Sequence, residues 1–531
     1  MTNFFNLLKV QFLSFLGLNK ILHSKNKRKL SGIGGLIITA LLIVGAIGFY
    51  AYTYADAFAL TLSVSGNLKS LIPIMLGIGA IVSFMFSFYA TSSLLFGFKD
   101  YDMLSSMPIK SSTIVFSKLT FLYLSDLAFS LLFIIPSLVV YFGYTGVVIL
   151  SEILFALVMS IFSPFLPLSI SVVIGLIVNF ISSRFRKVNI ARIISLMVIF
   201  VGVFGMSFMT GLTTGSDGEI PQIEITGIIG KIYFIFPIAQ KAFSDVLWCL
   251  LFLGINLLSA VVVIAFVCIF YKKLNALFSA KKTLRKFRLK EYSTNSVQKT
   301  LFVKELRRLF SCPVYAVNSI MGSVMTVLAT VGYCALYLTL GKTYEFAVLF
   351  QVLNLMLPAV FAFCFLLTPT TNCSVSLEGQ HFWIIKTAPI SCRSVFNAKL
   401  QLNALISTLP ALICSVLVAV LTGSYWLDGV LLVVIAVGIS VFGGVYGLLV
   451  NLRFPKLKWS HENEAVKQSL SIFITCITAM VIAGGIVLAV TYINLPSTAL
   501  LAIFAGFFLL TNVVAYVLLY KFGEKLYNKI N

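Results

Sequence analysis

The stretch DGVLLVVIAVGISVFGGVYGLLVN, at residues 428–451, carries its only charge at its first position. A helix of about 20 apolar residues crosses the hydrocarbon core of a bilayer, and it satisfies its backbone polar groups without water. The stretch therefore predicts a membrane-spanning helix. Comparable runs recur along the chain and predict twelve spans, six in each half. They lie at 32–54, 70–98, 117–142, 147–181, 189–212 and 244–271, and at 314–340, 345–370, 398–422, 428–451, 468–493 and 497–521.

The composition agrees with a chain that has lipid as its solvent. Of 531 residues, 60% are hydrophobic and only 11% are charged, which is too little polar surface to cover a water-soluble protein of this size. The net charge of +22 raises the possibility of nucleic acid. However, the basic residues lie in short clusters between apolar runs rather than on one basic domain. We therefore expect no nucleic-acid partner, and we attribute the charge to membrane topology.

The distribution of charge predicts the orientation in the bilayer. If both termini lie in the cytoplasm, all but four of the 39 Lys and Arg fall in cytoplasmic segments. The four predicted outside are Lys69, Lys231, Lys241 and Lys342. An odd number of spans in either half would destroy this sorting, so the positive-inside rule supports an even count. We expect a multi-pass protein of the plasma membrane.

An internal repeat relates the two halves. The sequence MLSSMPIKSSTIVFSKL at 103–119 aligns without a gap on IIKTAPISCRSVFNAKL at 384–400, and GLIVN at 175–179 matches GLLVN at 447–451. Basic amphipathic stretches around Lys9 and Lys304 precede the first span of each half. Three matches in one order indicate duplication. The predicted fold class is an all-α polytopic membrane protein of about 12 transmembrane helices in two pseudo-symmetric six-helix halves, with parallel repeats related by an axis along the membrane normal. The predicted division is 1–271, a basic cytoplasmic linker at 272–303, and 304–531.

The loop between the second and third spans of each half carries apolar side chains outside the membrane. It contains Leu104 and Met107 in the first half, and Trp383, Ile384 and Ile385 in the second. A proline then ends the short helix in each case. Exposed apolar side chains of this kind favour a partner groove. The alternative is a helix that lies on the lipid headgroups with its aromatic residue as an interfacial anchor.

These features resemble the type-2 class of ATP-binding-cassette (ABC) export permeases, in particular the long fused bacterial kind with two six-helix permease domains in one chain. The resemblance implies cytoplasmic amphipathic helices before the first span of each half. It also implies coupling helices that dock into grooves on two ATPase subunits, identical or homologous. The coupling residues would be Asp102, Leu104, Pro108, Ile109 and Lys118 in the first half, and Glu378, Trp383, Ile385, Pro389, Ile390 and Lys399 in the second.

The resemblance also sets expectations about chemistry. The chain would be a transport subunit rather than an enzyme, with no catalytic residue, cofactor or metal of its own, and ATP and Mg²⁺ would bind the partner ATPase. The transported substrate would be an amphipathic or hydrophobic compound, such as a peptide, a lipid or a drug-like molecule, and export is implied only by the family.

Asp126, in the predicted third span, is the one residue that favours a different class of transporter. It would be a gate or a substrate contact, or else it would be hydrated or paired near the cytoplasmic end of the span. The competing class is a six-plus-six secondary transporter driven by an ion gradient, which needs titratable groups near the midplane. Asp126 aligns with Ser407 in the second half, so the repeat does not duplicate it. A membrane-bound transferase or protease would need a cluster of His, Asp or Glu, and the sequence predicts none.

Two further features concern span shape. Pro164 and Pro167 predict a kinked or divided fourth span. The apolar stretch at 225–239 is too short to cross the bilayer and contains Pro237, which predicts a re-entrant or interfacial segment before the sixth span. The equivalent connection in the second half is short.

Overall fold

The computed structural model describes residues 2–15, 29–64, 66–95, 104–184, 190–191, 193–198, 201, 233–279, 296–340, 347–422, 426–459, 462–467, 469–493 and 495–530. Every regular element in these ranges is a helix, so the all-α prediction is confirmed. Ten helical stretches among the described residues are long and apolar enough to cross a membrane. The chain forms two compact units, Met1–Val188 with Met209–Lys286, and Asn189–Phe208 with Phe287–Asn531.

The first unit contains the helices of the amino-terminal half. They are α1 (Thr2–Phe15), α2 (Lys29–Val64), α3 (Leu71–Leu94), α4 (Ser111–Thr145), α5 (Leu150–Phe162), α6 (Phe165–Arg184), α7 (Phe236–Ala242) and α8 (Val246–Ser279).

Helix α4 is at the centre of this unit and packs against α1, α2, α3, α5, α6 and α8. The predicted division of the fourth span is confirmed, because α5 ends at Phe162 and α6 begins at Phe165 with Pro164 in the turn. The short helix α7 packs against α3 and α8 in one apolar core, and Gln240 donates a hydrogen bond of 2.9 Å from Nε2 to Ser70 Oγ. The rest of the predicted segment, before Tyr233, lies outside the described residues, as does most of the predicted fifth span.

The second unit contains the helices of the carboxyl-terminal half. They are α9 (Val297–Ser311), α10 (Pro313–Leu340), α11 (Ala347–Leu367), α12 (Phe382–Thr387), α13 (Cys392–Asn403), α14 (Leu409–Thr422), α15 (Trp426–Arg453), α16 (Glu462–Lys467), α17 (Leu470–Tyr492) and α18 (Ser497–Lys529).

Helix α15 is central in the second unit and packs against α11, α14, α17 and α18. A π-helical turn, Ala404–Thr408, joins α13 to α14. Helix α9 is amphipathic and lies against α13, as expected for a helix that precedes the first span of its half. Only residues 493–496 separate α17 from α18, so the short connection predicted before the last span leaves no room for a counterpart of α7.

Candidate functional site

The loop that follows α11 is irregular and almost entirely buried. Residues 368–379 are all buried, although they form only short 3-10 turns. Buried backbone groups need hydrogen-bond partners, and side chains from neighbouring helices provide them here. Asn403 Oδ1 accepts from the backbone nitrogen of Thr370 at 3.1 Å, and Thr371 Oγ1 donates to the carbonyl of Gly444 at 2.6 Å. The start of the loop is therefore fixed to α13 and α15.

Asn451, at the end of the repeated GLLVN motif, fixes the middle of the loop. Its Oδ1 accepts from the backbone nitrogens of Val375 and Ser376 at 2.8 and 3.1 Å, and its Nδ2 donates to Ser376 Oγ at 2.8 Å. Trp459 Nε1 donates to the carbonyl of Ser376 at 2.8 Å. Gly379 has a φ of +57°, and a Cβ there would meet the Trp459 ring at 3.0 Å, so both conformation and space favour glycine.

A cluster of five charged side chains, three of them buried, joins this loop to α9 and α13. Lys399 Nζ lies 2.9 Å from Glu305 Oε1 and 3.3 Å from Glu378 Oε1. Lys304 Nζ lies 2.6 Å from Glu378 Oε1, and Arg308 pairs with Glu378 Oε2. Lys399, Glu305 and Glu378 are only 2%, 3% and 4% exposed. Charges so far from water are tolerated only when they are paired.

The cluster favours the ionised forms of Glu378 and Arg308. Burial alone would raise the pKa of Glu378, but Lys399, Arg308 and Lys304 outweigh burial and hold that pKa below its usual range. Burial would likewise lower the pKa of Arg308, and the Glu378 carboxylate more than offsets this, so the pKa of Arg308 is raised. Three cations face two carboxylates in the cluster. Lys399 also donates to the carbonyl of Ser374, and Arg308 donates to the carbonyl of Leu377. The loop is thus attached to α9 and α13 by charge as well as by hydrogen bonds.

Helix α12 follows this fixed loop and presents apolar side chains to the outside. Trp383 is 62% exposed and Ile384 is 51% exposed. Phe382 faces the opposite way and packs edge-on against Tyr527 with ring centroids 5.1 Å apart. Lys386 Nζ donates to the carbonyls of Asn528 and Ile530 at 3.0 and 2.6 Å. The exposed tryptophan therefore stands on a helix anchored to the carboxyl-terminal end of α18.

The remaining predicted coupling residues of the second half divide into two groups. Ile385 and Ile390 are partly buried and pack into the core beneath α12, while Pro389 is exposed. Glu378 and Lys399 are buried in the charged cluster. The geometry separates an outward surface, formed by Trp383, Ile384 and Pro389, from supporting residues that hold it.

The equivalent loop of the first unit is described only in part. Asp102 lies outside the described residues. Pro108 and Met107 are exposed, whereas Leu104 and Ile109 pack against an apolar core. The pattern of exposed and supporting residues thus resembles that of the second unit.

Lys118 has a role similar to that of its repeat partner Lys399. Its side chain is buried, and Nζ donates to the carbonyl of Leu94 at 2.6 Å, near the end of α3. Lys399 Nζ likewise donates to a carbonyl that follows the second span of its half, that of Ser374, at 3.2 Å. Each lysine holds the loop as it leaves the membrane-spanning helix, which explains why the repeat preserves it.

Asp126 lies in the interior of the first unit and is 0% exposed. Its Oδ2 accepts a short hydrogen bond from Ser87, and Ser83 Oγ donates to its main-chain carbonyl at 3.2 Å. The carboxyl is thus paired with a hydroxyl rather than with a cation. It is far from α12 in sequence and belongs to a different unit.

Sequence reasoning missed several residues that hold the site, namely Glu305, Arg308, Asn403 and Trp459. One signal was present for Asn451, because it ends a motif that occurs in both halves. The acidic partner of Lys399 could also have been sought, because a lysine predicted within a span needs a counter-charge. The polar run TPTTNCS at 368–374, beside an apolar helix, was a further sign of a buried irregular loop.

The arrangement presents exposed apolar side chains on a short helix that buried charged and polar side chains support. Within the described ranges, no group of three His, Cys, Asp or Glu is placed to hold a metal ion. What the site provides is an exposed apolar surface formed by Trp383, Ile384 and Pro389.

The fold and site together define a polytopic, all-helical membrane protein. A short helix with exposed apolar side chains, α12, lies between two of its membrane-spanning helices. A family model described as a membrane protein of 12 TMs matches residues 33–521. The chain belongs to this family, whose twelve spans agree with the number predicted from the sequence. No curated protein and no solved structure matches the chain.

Proposed function

We propose that the chain is the transmembrane subunit of an ABC transporter, driven by separate ATPase subunits that dock on the loops between the second and third spans. The observation that carries the proposal is the exposed Trp383 on a helix that is held by buried ion pairs and hydrogen bonds. A lipid anchor needs only an amphipathic helix. A helix that transmits movement from an ATPase subunit must also be held firmly to the rest of the protein. The charged cluster, Asn451 and Lys386 hold α12 and the loop before it in this way.

The position of the charged cluster between α9, α13 and the loop before α12 supports a role in transmitting movement. Helix α9 contributes Lys304, Glu305 and Arg308 to the cluster, so a push on α12 would pass through Glu378 to α9 and through Lys399 to α13. Helix α13 continues through the π-helical turn into α14. Local π-helical turns are often found at functional sites. Movement at the docked helix would therefore reach a span directly.

The proposed cargo is an amphipathic or hydrophobic compound, and the proposed direction is export. The support for the cargo is the scarcity of intramembrane charge, because highly charged solutes would need compensating groups along their path. The support for the direction is the resemblance to export permeases. We further propose that the chain resides in the plasma membrane with both termini in the cytoplasm, and that it has no catalytic activity of its own.

The test is copurification from native membranes with the full chain as bait. We expect a soluble ATPase with a phosphate-binding loop to copurify with the wild type and to be lost with Trp383→Ala. Trp426→Ala is the matched control, because Trp426 is also highly exposed, at the beginning of α15. Equal recovery of the ATPase with both variants would refute the docking role.

The second candidate is the ion-gradient-driven transporter, which Asp126 favours because it is a buried titratable group in a spanning helix. Transport into sealed vesicles separates the two classes. Uptake that requires ATP and survives collapse of the ion gradients supports the ABC assignment. Uptake that continues without ATP and stops on collapse of a gradient supports the alternative.

A further inference from the structure

Asp126 occupies a closed polar site between α3 and α4 of the first unit. One carboxylate oxygen, Oδ2, accepts from Ser87, and the other, Oδ1, is buried without a hydrogen-bond partner. Thr91, one helical turn beyond Ser87 on α3, also has a buried hydroxyl without a partner. The side chain of Asp126 is wholly buried, so bulk water does not supply the missing bonds. Two buried oxygens without a partner therefore belong to the two helices that enclose this site, Oδ1 of Asp126 on α4 and Oγ1 of Thr91 on α3.

No charged side chain compensates Asp126 among the described residues. On α4 itself, Lys118 is two turns away and bonded to Leu94, and Tyr123 donates to the carbonyl of Ile161 at 3.0 Å. Helix α3 and the part of α6 with described side chains carry no charged residue. The charged side chains described on the other helices packed against α4 belong to α1, α2, α5 and α8, and none contacts Asp126. They are Lys9, Asp56, Glu152, Lys272 and Lys273.

We propose that Asp126 is a proton-binding site, occupied at neutral pH by one proton per chain. An ionised carboxylate in a membrane interior, with one hydroxyl donor and no cation, is strongly disfavoured relative to the neutral acid. Uptake of a proton on Oδ1 removes the charge and leaves the hydrogen bond from Ser87 to Oδ2 in place. The neutral acid is the state that this environment accommodates, and proton release puts an uncompensated charge between α3 and α4.

Hydroxyl groups continue the polar site along the same face of α4. Ser130 is four residues from Asp126, which places it one turn away on that face. Its Oγ lies 3.1 Å from Ser163 Oγ and donates to the carbonyl of Ser160 at 3.0 Å. This hydroxyl pair joins α4 to the junction of α5 and α6, where Pro164 interrupts the helix. The second half has Ser407 at the aligned position, so the site belongs to the first unit alone.

The proposal does not depend on an ATPase partner. Loss of the coupling role would leave the proton site in place, and loss of the proton site would leave the docking surface unchanged.

The test is infrared spectroscopy of the full-length protein in lipid vesicles, because a protonated carboxyl has a C=O band that a carboxylate lacks. We expect one such band at neutral pH, lost in Asp126→Asn and lost from the wild type on alkaline titration. Ser87→Ala removes a donor that favours the ionised form, so the band should then persist to higher pH. This second variant retains the carboxyl, and it decides the matter if Asp126→Asn does not fold.

A hydrophobic carbodiimide, which adds to protonated carboxyls, assigns the band in the wild type by peptide mass mapping. We expect the adduct at Asp126, with at least about tenfold less at Glu378, which the cations keep ionised. Absence of a protonated-carboxyl band at neutral pH would overturn the proposal. So would a band that Ser87→Ala shifts to lower pH.

Discussion

Removal of the Lys399 charge is the sharpest test of the buried cluster. Its ammonium lies between Glu305 at 2.9 Å and Glu378 at 3.3 Å, and its side chain is 2% exposed. Lys399→Met keeps the length and volume of the side chain but leaves two carboxylates facing fewer cations. Breaking a buried ion pair costs about 3 to 5 kcal/mol. We expect about 3 kcal/mol, the lower end, because Lys304 still lies 3.3 Å from Glu305 and 2.6 Å from Glu378.

The assay is thermal unfolding of the purified full chain in detergent, followed by loss of its monodisperse peak. Lys525→Met is the control, because Lys525 is an exposed lysine on α18. The double variant Lys399→Met with Glu305→Gln should recover part of the loss, since it removes one uncompensated charge, and the double-mutant cycle measures the coupling. If Lys399→Met unfolds at the same temperature as Lys525→Met, the cluster does not hold the loop.

Three other predictions concern the same framework and use the same unfolding assay. The lowered pKa of Glu378 means that its contribution to stability is present above the ordinary glutamate pKa and is lost as pH falls through the folded-state pKa. The unfolding temperature should therefore stay level from neutral pH to about pH 5 and fall below about pH 4, with a shallower acid decline in Glu378→Gln. Asn451→Ala leaves two buried backbone donors unpaired and should cost at least about 2 kcal/mol. Gly322→Ala places a Cβ against the backbone of α11 and should cost about 1 to 3 kcal/mol, whereas Gly484→Ala meets nothing within 4 Å and should be neutral or stabilising.

The sequence predicts the helical class and most spans because their signal is local. Each run of apolar residues satisfies its own backbone as a helix, so length and composition decide the outcome. The division at Pro164 is equally local. The repeat also identifies Lys118 and Lys399 as a pair, and the structure gives both lysines the same kind of carbonyl contact.

The support of the coupling loop is not local, which is why the sequence does not reveal it. Glu305 lies 94 residues from Lys399, and Asn451 lies 76 residues from Val375. No periodicity connects such positions, and only the packing of α9, α13 and α15 brings them together. Glu378 shows the consequence: the resemblance predicts it as a coupling residue, and the structure places it inward, as part of the support for the exposed Trp383.

The most direct measurement is photocrosslinking from position 383 in native membranes. A photoreactive phenylalanine analogue at position 383 should form a covalent adduct with an ATPase that carries a phosphate-binding loop, and the same analogue at position 426 should not. Adducts from position 383 that contain only lipid would show that α12 lies on the headgroups, and they would contradict the docking account.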